Sequence, residues 1–377
     1  MNILALEPYY GGSHKAFIDG LSKASRHTWT LLRLPAHKWK WRMRHSAITF
    51  ASQAAELMEK RQSWDLLFCS DMLNLAEFAA LAPAEMTCVP KVIYFHENQL
   101  TYPVRVEDER DYQFAMTNLT GALAADAVWF NSQYHLDSFL DALAKFLKSM
   151  PDHQPLEAIE KIRAKSSVYP PGIADFPARK AREPGPLRIL WAARWEHDKN
   201  PESFFEALEI LKDRNVSFRL SVIGQSFRDR PAVFEQAHCS FQNLIDYWGY
   251  QQSRDDYECA LCEADVVVST ANHEFFGISV VEAIAAGAYP LVPNRLSYPE
   301  ILGLRRIEGA GQFFYDGTAQ DLADKLSWLA ARVEKDALWP ASISPATLTD
   351  HLRWQNLARR YDKAFEQIRT ESAEGST

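Results

Sequence analysis

The sequence predicts an α/β protein built from two doubly wound, Rossmann-like domains facing a central cleft. Three observations carry that expectation. Short continuous apolar runs alternate with helical patterns, which is what a parallel sheet covered on both faces requires. The alternation breaks once, around residues 170–186, at Tyr169-Pro170-Pro171-Gly172 and Glu183-Pro184-Gly185-Pro186, where proline and glycine make turn or linker chemistry. Finally, 377 residues exceed one ordinary core at roughly 150 residues per domain.

In the first half, Ile3-Leu4-Ala5-Leu6 reads as a strand, followed by a Gly-rich loop and a helix from near Lys15. Asp65-Leu66-Leu67-Phe68-Cys69 is a second strand, followed by an Ala- and Leu-rich helix. Lys91-Val92-Ile93-Tyr94-Phe95 runs into a polar loop, and Ala127-Val128-Trp129-Phe130 ends at Asn131-Ser132. The pattern restarts at Leu187-Arg188-Ile189-Leu190-Trp191. It continues through Phe218-Arg219-Leu220-Ser221-Val222-Ile223, Ala264-Asp265-Val266-Val267-Val268-Ser269 and Tyr289-Pro290-Leu291-Val292. These elements place an N-terminal domain at 1–180, a second at 187–349, an amphipathic helix at 350–370 and a disordered polar tail at 371–377. Ligands of such sheets bind at the carboxyl ends of the strands, so chemistry is sought in those loops.

Hydrophobic residues at 47% and charged residues at 24% exclude a disordered chain or fibrous repeat. The net charge of −8 argues against a general nucleic-acid binder, but it is an average. Residues 13–61 hold ten Lys or Arg against three Asp or Glu, a local +7 that leaves −15 for the remainder. Neither a signal peptide nor a run of ~20 apolar residues is present, so the expectation is a protein without a membrane span. Five cysteines are too few and irregular for a disulfide framework, and the expected compartment is the reducing cytoplasm. Cys259-Ala260-Leu261-Cys262 lies in an apolar helical pattern and has no second CxxC to complete a zinc site.

Four loops carry chemistry. After the first strand comes Glu7-Pro8-Tyr9-Tyr10-Gly11-Gly12-Ser13-His14, which either lets backbone amides approach an anion or is a simple tight turn. It is neither a dinucleotide fingerprint nor a P-loop. The strand ending at Trp191 leads into Arg194-Trp195-Glu196-His197-Asp198-Lys199-Asn200-Pro201. Its planar fork and compact charge suit a diphosphate, the alternative being ion pairing with Glu196 and Asp198. His273-Glu274-Phe275-Phe276-Gly277-Ile278 precedes a helix carrying Glu282, which gives two carboxylates separated by seven residues. Such a pair is a solvated helix face or, with Gly277 amides on phosphate, a sugar- and ribose-reading set. His96-Glu97-Asn98-Gln99 closes the strand ending at Phe95, with His96 either structural or facing the cleft. No Asp-x-Asp occurs, so a metal-bridged diphosphate is unsupported and no metal site is expected.

From Arg33 to Arg44 the chain has five basic and no acidic residues, with Trp39 and Trp41 interleaved. The alternation Lys38-Trp39-Lys40-Trp41-Arg42 fits an edge strand with one aromatic face, suited to phosphates and a stacked base, or a basic loop with its tryptophans in the core.

Together, Gly11-Gly12, His96, Arg194 with Lys199, and Glu274 with Glu282 resemble the metal-independent retaining glycosyltransferases of the GT-B fold. The strings Tyr10-Gly11-Gly12-Ser13-His14-Lys15, Leu34-Pro35-Ala36-His37-Lys38-Trp39 and Tyr94-Phe95-His96-Glu97-Asn98-Gln99-Leu100 make the resemblance closer. With Arg194 through Lys199 and His273 through Gly277, the chain resembles the tRNA-queuosine α-mannosyltransferase family. That resemblance implies transfer of mannose from GDP-mannose to the cyclopentenediol of queuosine in a tRNA anticodon, with tRNA-Asp as the expected carrier and no cofactor. It also implies roles. His96, Glu274, Arg194 and Lys199 form the catalytic set. Gly11 and Gly12 approach the diphosphate, which Arg194 and Lys199 clamp. Phe276, Gly277 and Ile278 present backbone to the donor, Glu282 holds its ribose, Glu274 contacts the sugar and His96 lines the reacting face. His37, Lys38, Trp39, Lys40, Trp41, Arg42 and Arg44 contact tRNA, which favours the RNA reading of that segment. The C-terminal helix is expected to pack back on the N-terminal domain. Two alternatives remain: a GT-B enzyme with a lipid or saccharide acceptor, and a non-catalytic RNA- or nucleotide-binding protein on this scaffold.

Overall fold

The computed structural model describes residues 1–103, 111–226, 230–333, 335 and 338–374. The chain divides into two compact units, one of residues 1–172 with the segment from Trp354 onward, the other Ile173–Arg353.

The first unit holds a six-stranded sheet of β1 (Asn2–Tyr10), β2 (Thr28–Pro35), β3 (Leu66–Ser70), β4 (Lys91–Phe95), β5 (Ala127–Phe130) and β6 (Ser166–Val168), in the order β2-β1-β3-β4-β5-β6. Every pairing is parallel. The central strands β3, β4 and β5 are buried on both faces apart from the first residue of β4, which is why they read as unbroken apolar runs. The second unit repeats the plan with β7 (Leu187–Ala192), β8 (Phe218–Ile223), β9 (Ile245–Gly249), β10 (Val266–Val268), β11 (Tyr289–Pro293) and β12 (Phe314–Tyr315), ordered β12-β11-β10-β7-β8-β9. Both sheets are therefore doubly wound, and each places its functional loops beyond the carboxyl ends of its middle strands.

The divisions fall elsewhere than at 180 and 350. Residues from Ile173 onward fold with the second unit because Phe176 packs against its core and Arg179 reaches the fully buried Asp265 at 3.1 Å. After a 3₁₀ turn at Asp350–Leu352, the helix Trp354–Glu374 folds with the first unit. Its Tyr361 hydroxyl donates to the carbonyls of Tyr169 and Pro170 at 3.0 and 2.9 Å, and Asp362 accepts from Ser25 Oγ at 2.5 Å. Tyr361 and Phe365 are fully buried, each contributing about 2–3 kcal/mol of apolar burial. The expected tail is helical through Glu374, with Gln367 bonded to Glu371 one turn on; residues 375–377 lie outside the described set.

A second correction concerns the basic segment. It is not an edge strand: β2 stops at Pro35, and Trp39–Glu59 is a helix preceded by Lys38 in the left-handed region at φ 53°. Two residues apart on a helix, Trp39 and Trp41 point in different directions.

Candidate active site

In the second unit, β7 ends in the loop that carries Arg194 and Lys199. A short 3₁₀ turn, His197–Lys199, buries Lys199, and Pro201 then opens the helix Pro201–Asp213. The Lys199 ammonium donates to the His273 carbonyl at 2.7 Å and pairs with Asp198 at 3.0 Å and Glu274 at 3.3 Å. Burial opposes its charge, but Glu274 and Asp198 together hold its pKa above the ordinary lysine value. Burial likewise opposes ionisation of Glu274, and Lys199 reverses this, so the carboxyl lies below its ordinary range. His273 is driven the other way, down to about 4, by burial and then by Lys199. Arg194 is only partly buried and pairs with Glu196 at 3.4 Å. Both ion pairs considered from the sequence therefore form, but the one at Lys199 is buried rather than superficial.

Gly277 stands between this loop and the helix Ile278–Ala285 with φ at 83°, and a Cβ there would come within 2.9 Å of the Tyr298 ring. Only glycine suits that position. Phe276 is buried, so what it and Ile278 can offer a ligand is backbone. Ser279 Oγ donates to the Ala192 carbonyl at 2.6 Å, fixing the helix start against the end of β7. Glu282 lies inside this helix with both oxygens engaged, by Tyr257 Oη at 2.7 Å and Arg254 Nη1 at 3.3 Å.

In the first unit, Gly11 passes so close to Ala36 that a Cβ would sit 2.3 Å from that methyl group. Gly12 then opens the helix Gly12–Ala24, whose first turn carries no acidic residue. His96 follows β4, its N–H donating to Asp71 Oδ1 at 2.8 Å and its carbonyl accepting from Asn131 Nδ2 at 3.0 Å. Around it lies a buried cluster of Glu7, His14 and Asp71 that the sequence reading did not single out. The signal was present: Glu7 and His14 flank the glycine pair, seven residues apart across one strand-to-helix turn.

The basic segment separates by exposure. Trp41 is 58% exposed and stacks on His45 at 4.8 Å, with Lys38, Lys40 and Arg44 at the surface and Arg44 paired to Asp111 at 2.8 Å. Trp39 is half-buried against Phe114 at 5.1 Å. Arg42 does not belong with the surface cations. It is buried, donating to the Pro35 carbonyl, to His45 Nε2 and to the exposed His37, so its guanidinium clamps the turn into the helix.

Among the described residues, Glu7, His14 and His96 place ligand atoms within 4.8 Å of one another. Within this trio the His14 ring already meets Glu7, Nδ1 to Oε1 at 3.3 Å, and that carboxylate favours its protonated form. A cavity of about 530 Å³ lies elsewhere in the second unit, lined by Phe176, Arg179, Arg182, Asp265 and Trp339. It sits at the amino ends of the strands, and Arg179 and Arg182 are bonded to Asp265. No helix among the described residues is long and apolar enough to cross a membrane.

Two doubly wound sheets, an Arg/Lys loop and a Glu-x7-Glu loop define a glycosyltransferase of the GT-B class. The fold matches sucrose-phosphate synthase from Thermosynechococcus elongatus with a TM-score of 0.70 over 98% of this chain and 99% of that one, at 14% identity. Residues 173–338 match the glycosyl transferases group 1 family, and residues 2–173 match the tRNA-queuosine alpha-mannosyltransferase N-terminal family. The tRNA-queuosine alpha-mannosyltransferase of Drosophila melanogaster is 39% identical over 312 residues, 80% of this chain and 81% of that protein. A GDP-mannose:cellobiosyl-diphosphopolyprenol alpha-mannosyltransferase of Xanthomonas campestris is 27% identical over about half of each chain. The chain belongs to the tRNA-queuosine α-mannosyltransferase family.

Proposed function

We propose that this enzyme transfers mannose, with retention, from GDP-mannose to a cyclopentenediol hydroxyl of queuosine in a tRNA anticodon, with tRNA-Asp as its carrier. The observation that carries the reading is the match of residues 2–173, the unit with the exposed cationic, tryptophan-bearing helix, to a family defined by that acceptor. The second unit supports a nucleotide sugar by its own chemistry. Arg194 meets the diphosphate from one side, and the first-turn amides beyond Gly277 meet it from the other. Glu274 takes the sugar hydroxyls, and the Lys199 N–H this frees turns to the leaving oxygen. Glu282 exchanges its internal partners for the ribose diol.

The anomeric carbon loses its bond to the diphosphate oxygen and gains one to the acceptor oxygen on the same face. The acceptor proton passes to the departing diphosphate. Cationic side chains and oriented amides stabilise the charge that develops on that group, so the reaction runs without a metal. His96 lines the sugar face and accepts from a hydroxyl. A cytoplasmic location fits a tRNA acceptor. Incubation with queuosine-containing tRNA and GDP-mannose, followed by nuclease digestion and mass spectrometry, is expected to give queuosine plus one hexose. Absence of that nucleoside with every sugar nucleotide tried overturns the reading.

A further inference from the structure

We infer that His14, held by Glu7, is a positioning residue for His96, fixing its ring as a neutral hydrogen-bond acceptor. The inference rests on the reading that His96 lines the donor sugar.

The geometry starts at the end of β1. Glu7 is buried, and its Oε1 accepts from Tyr9 N–H at 2.8 Å, Ser70 Oγ at 3.2 Å and His14 Nδ1 at 3.3 Å. His14 lies in the first turn of the helix Gly12–Ala24, so strand and helix together fix the pair across the glycine turn. The His14 ring lies 4.0 Å from the His96 ring at 34°. Phe17 and Tyr94 close two further sides of His96, edge-on at 4.9 and 4.7 Å. The backbone of His96 is held from both ends by Asp71 and Asn131. His96 thus has two neutral aromatic walls and one imidazole neighbour that is ion-paired, while its own ring is half-buried.

The titratable groups facing this cluster come from five elements: Glu7 from β1, Cys69 and Asp71 from the end of β3, Tyr94 and Glu97 from around β4, His14 from its helix, and His135 from the helix Gln133–Lys148. Burial works against a charge on His14, but Glu7 outweighs it and raises the ring to about 9. Burial, then the His14 charge, then His135 hold His96 well below the ordinary histidine value. Burial pushes Asp71 up to about 8, against the pull of the His14 charge. One buried ring is therefore paired with a carboxylate and set against a second ring whose charging it opposes. A neutral imidazole keeps a lone pair for a sugar hydroxyl, and an imidazolium has none.

Ring nitrogen NMR of the ligand-free protein, titrated through the histidine range and beyond, tests this without any substrate. The signals lost in His14→Asn and His96→Asn identify the two rings. The ring of His14 is expected to titrate near 9 and that of His96 to remain neutral below the ordinary histidine range. In His14→Asn, His96 should gain about tenfold or more in proton affinity. Glu7→Gln keeps both rings and should lower the His14 midpoint by a similar factor, which serves if His14→Asn fails to fold. Titration of His14 at an ordinary value in the wild-type protein, an unchanged His14 midpoint in Glu7→Gln, or an unchanged His96 in His14→Asn overturns the inference. In transfer assays, His14→Asn should acquire an acid limb in kcat near neutral pH while the KM for GDP-mannose stays within about twofold. A uniform loss with an unaltered pH profile also overturns it. If the wild-type protein glycosylates no tRNA, the proposed activity fails instead, and the NMR result stands independently.

Discussion

The two units share a plan, six parallel strands with chemistry beyond the middle ones, yet they set opposite charge states on their loop histidines. His14 in the first unit is raised to about 9, whereas His273 in the second is lowered to about 4. Burial pushes both rings toward neutrality, so burial does not distinguish them. The neighbour does: Glu7 lies 3.3 Å from His14, while the main chain of His273 is the acceptor for the buried Lys199 ammonium. Each unit has a buried ring or side chain that carries a positive charge beside these histidine loops, the His14 imidazole in the first and the Lys199 ammonium in the second. The Rossmann-like scaffold supplies a position, and the local counter-ion decides what that position does.

The sharpest way to break this comparison is to remove a cation from the second unit. Lys199→Met leaves Asp198 and Glu274 facing each other unpaired. Transfer should fall by about 10³-fold or more, and the chain should lose about 3–5 kcal/mol of stability. Arg194→Ala, which removes the partly buried cation, should cost about 10²–10³-fold in kcat with little change in thermal stability. Steady-state kinetics with calorimetry separates the two, and unchanged turnover in either variant removes its residue from the diphosphate site.

Next in size is an opposite response to pH. His14 and Asp71 have folded-state pKa values raised above their unfolded ones, so their stabilisation is present at low pH and lost as pH rises, toward about 9 and about 8 respectively. Glu274 and His273 have lowered values, so their contribution is lost as pH falls, from 6.5 toward about 4 for His273 and below 4.5 for Glu274. Calorimetry of the full chain should show the first unit losing roughly 5 °C or more between pH 6.5 and 9 and the second weakening as pH falls from 6.5 toward 4. Parallel shifts of both transitions would show that the units do not differ in this way.

Smaller effects sharpen the RNA side. Trp41→Ala with Lys40→Ala should weaken tRNA binding by about tenfold or more and flatten its salt dependence, with the fold intact because both residues are exposed. Arg42→Ala should instead lower thermal stability, since it unfastens Pro35, His37 and His45. Equal tRNA affinity in the Trp41 variant excludes that helix face. At the bottom of the scale, EDTA should leave transfer unchanged; loss restored by a divalent cation would refute the metal-free mechanism.

The legibility of the fold followed burial. β3, β4, β5, β7, β8, β10 and β11 were readable because internal strands are wet on neither face. The four strands not anticipated, β2, β6, β9 and β12, are the four sheet edges. Three of them mix half-buried and exposed residues, and β12 has only two residues. The Lys-Trp alternation misled because period two also occurs by chance at a helix start, and nothing in five residues distinguishes the cases. At the candidate site, the cationic loop, the glutamates and His96 were legible as residue types at strand ends. That Tyr257 and Arg254 hold Glu282, or that Glu7 and Asp71 surround His96, depends on which side chains tertiary packing brings together. Neither has a sequence spacing of its own.

The contact between Gly11 and Ala36 limits how this protein can change. Gly11 belongs to the loop proposed to approach the donor, and Ala36 lies three residues ahead of the helix proposed to contact tRNA. Any side chain at 11 displaces the approach to that helix, and any larger one at 36 presses on the glycine loop. Glycine is the sole replacement at 36 that adds no bulk, and none is open at 11 without displacement. Positions 11 and 36 are thus tied to each other through bare contact, and a change of size at either is felt by both the glycine loop and the start of the helix.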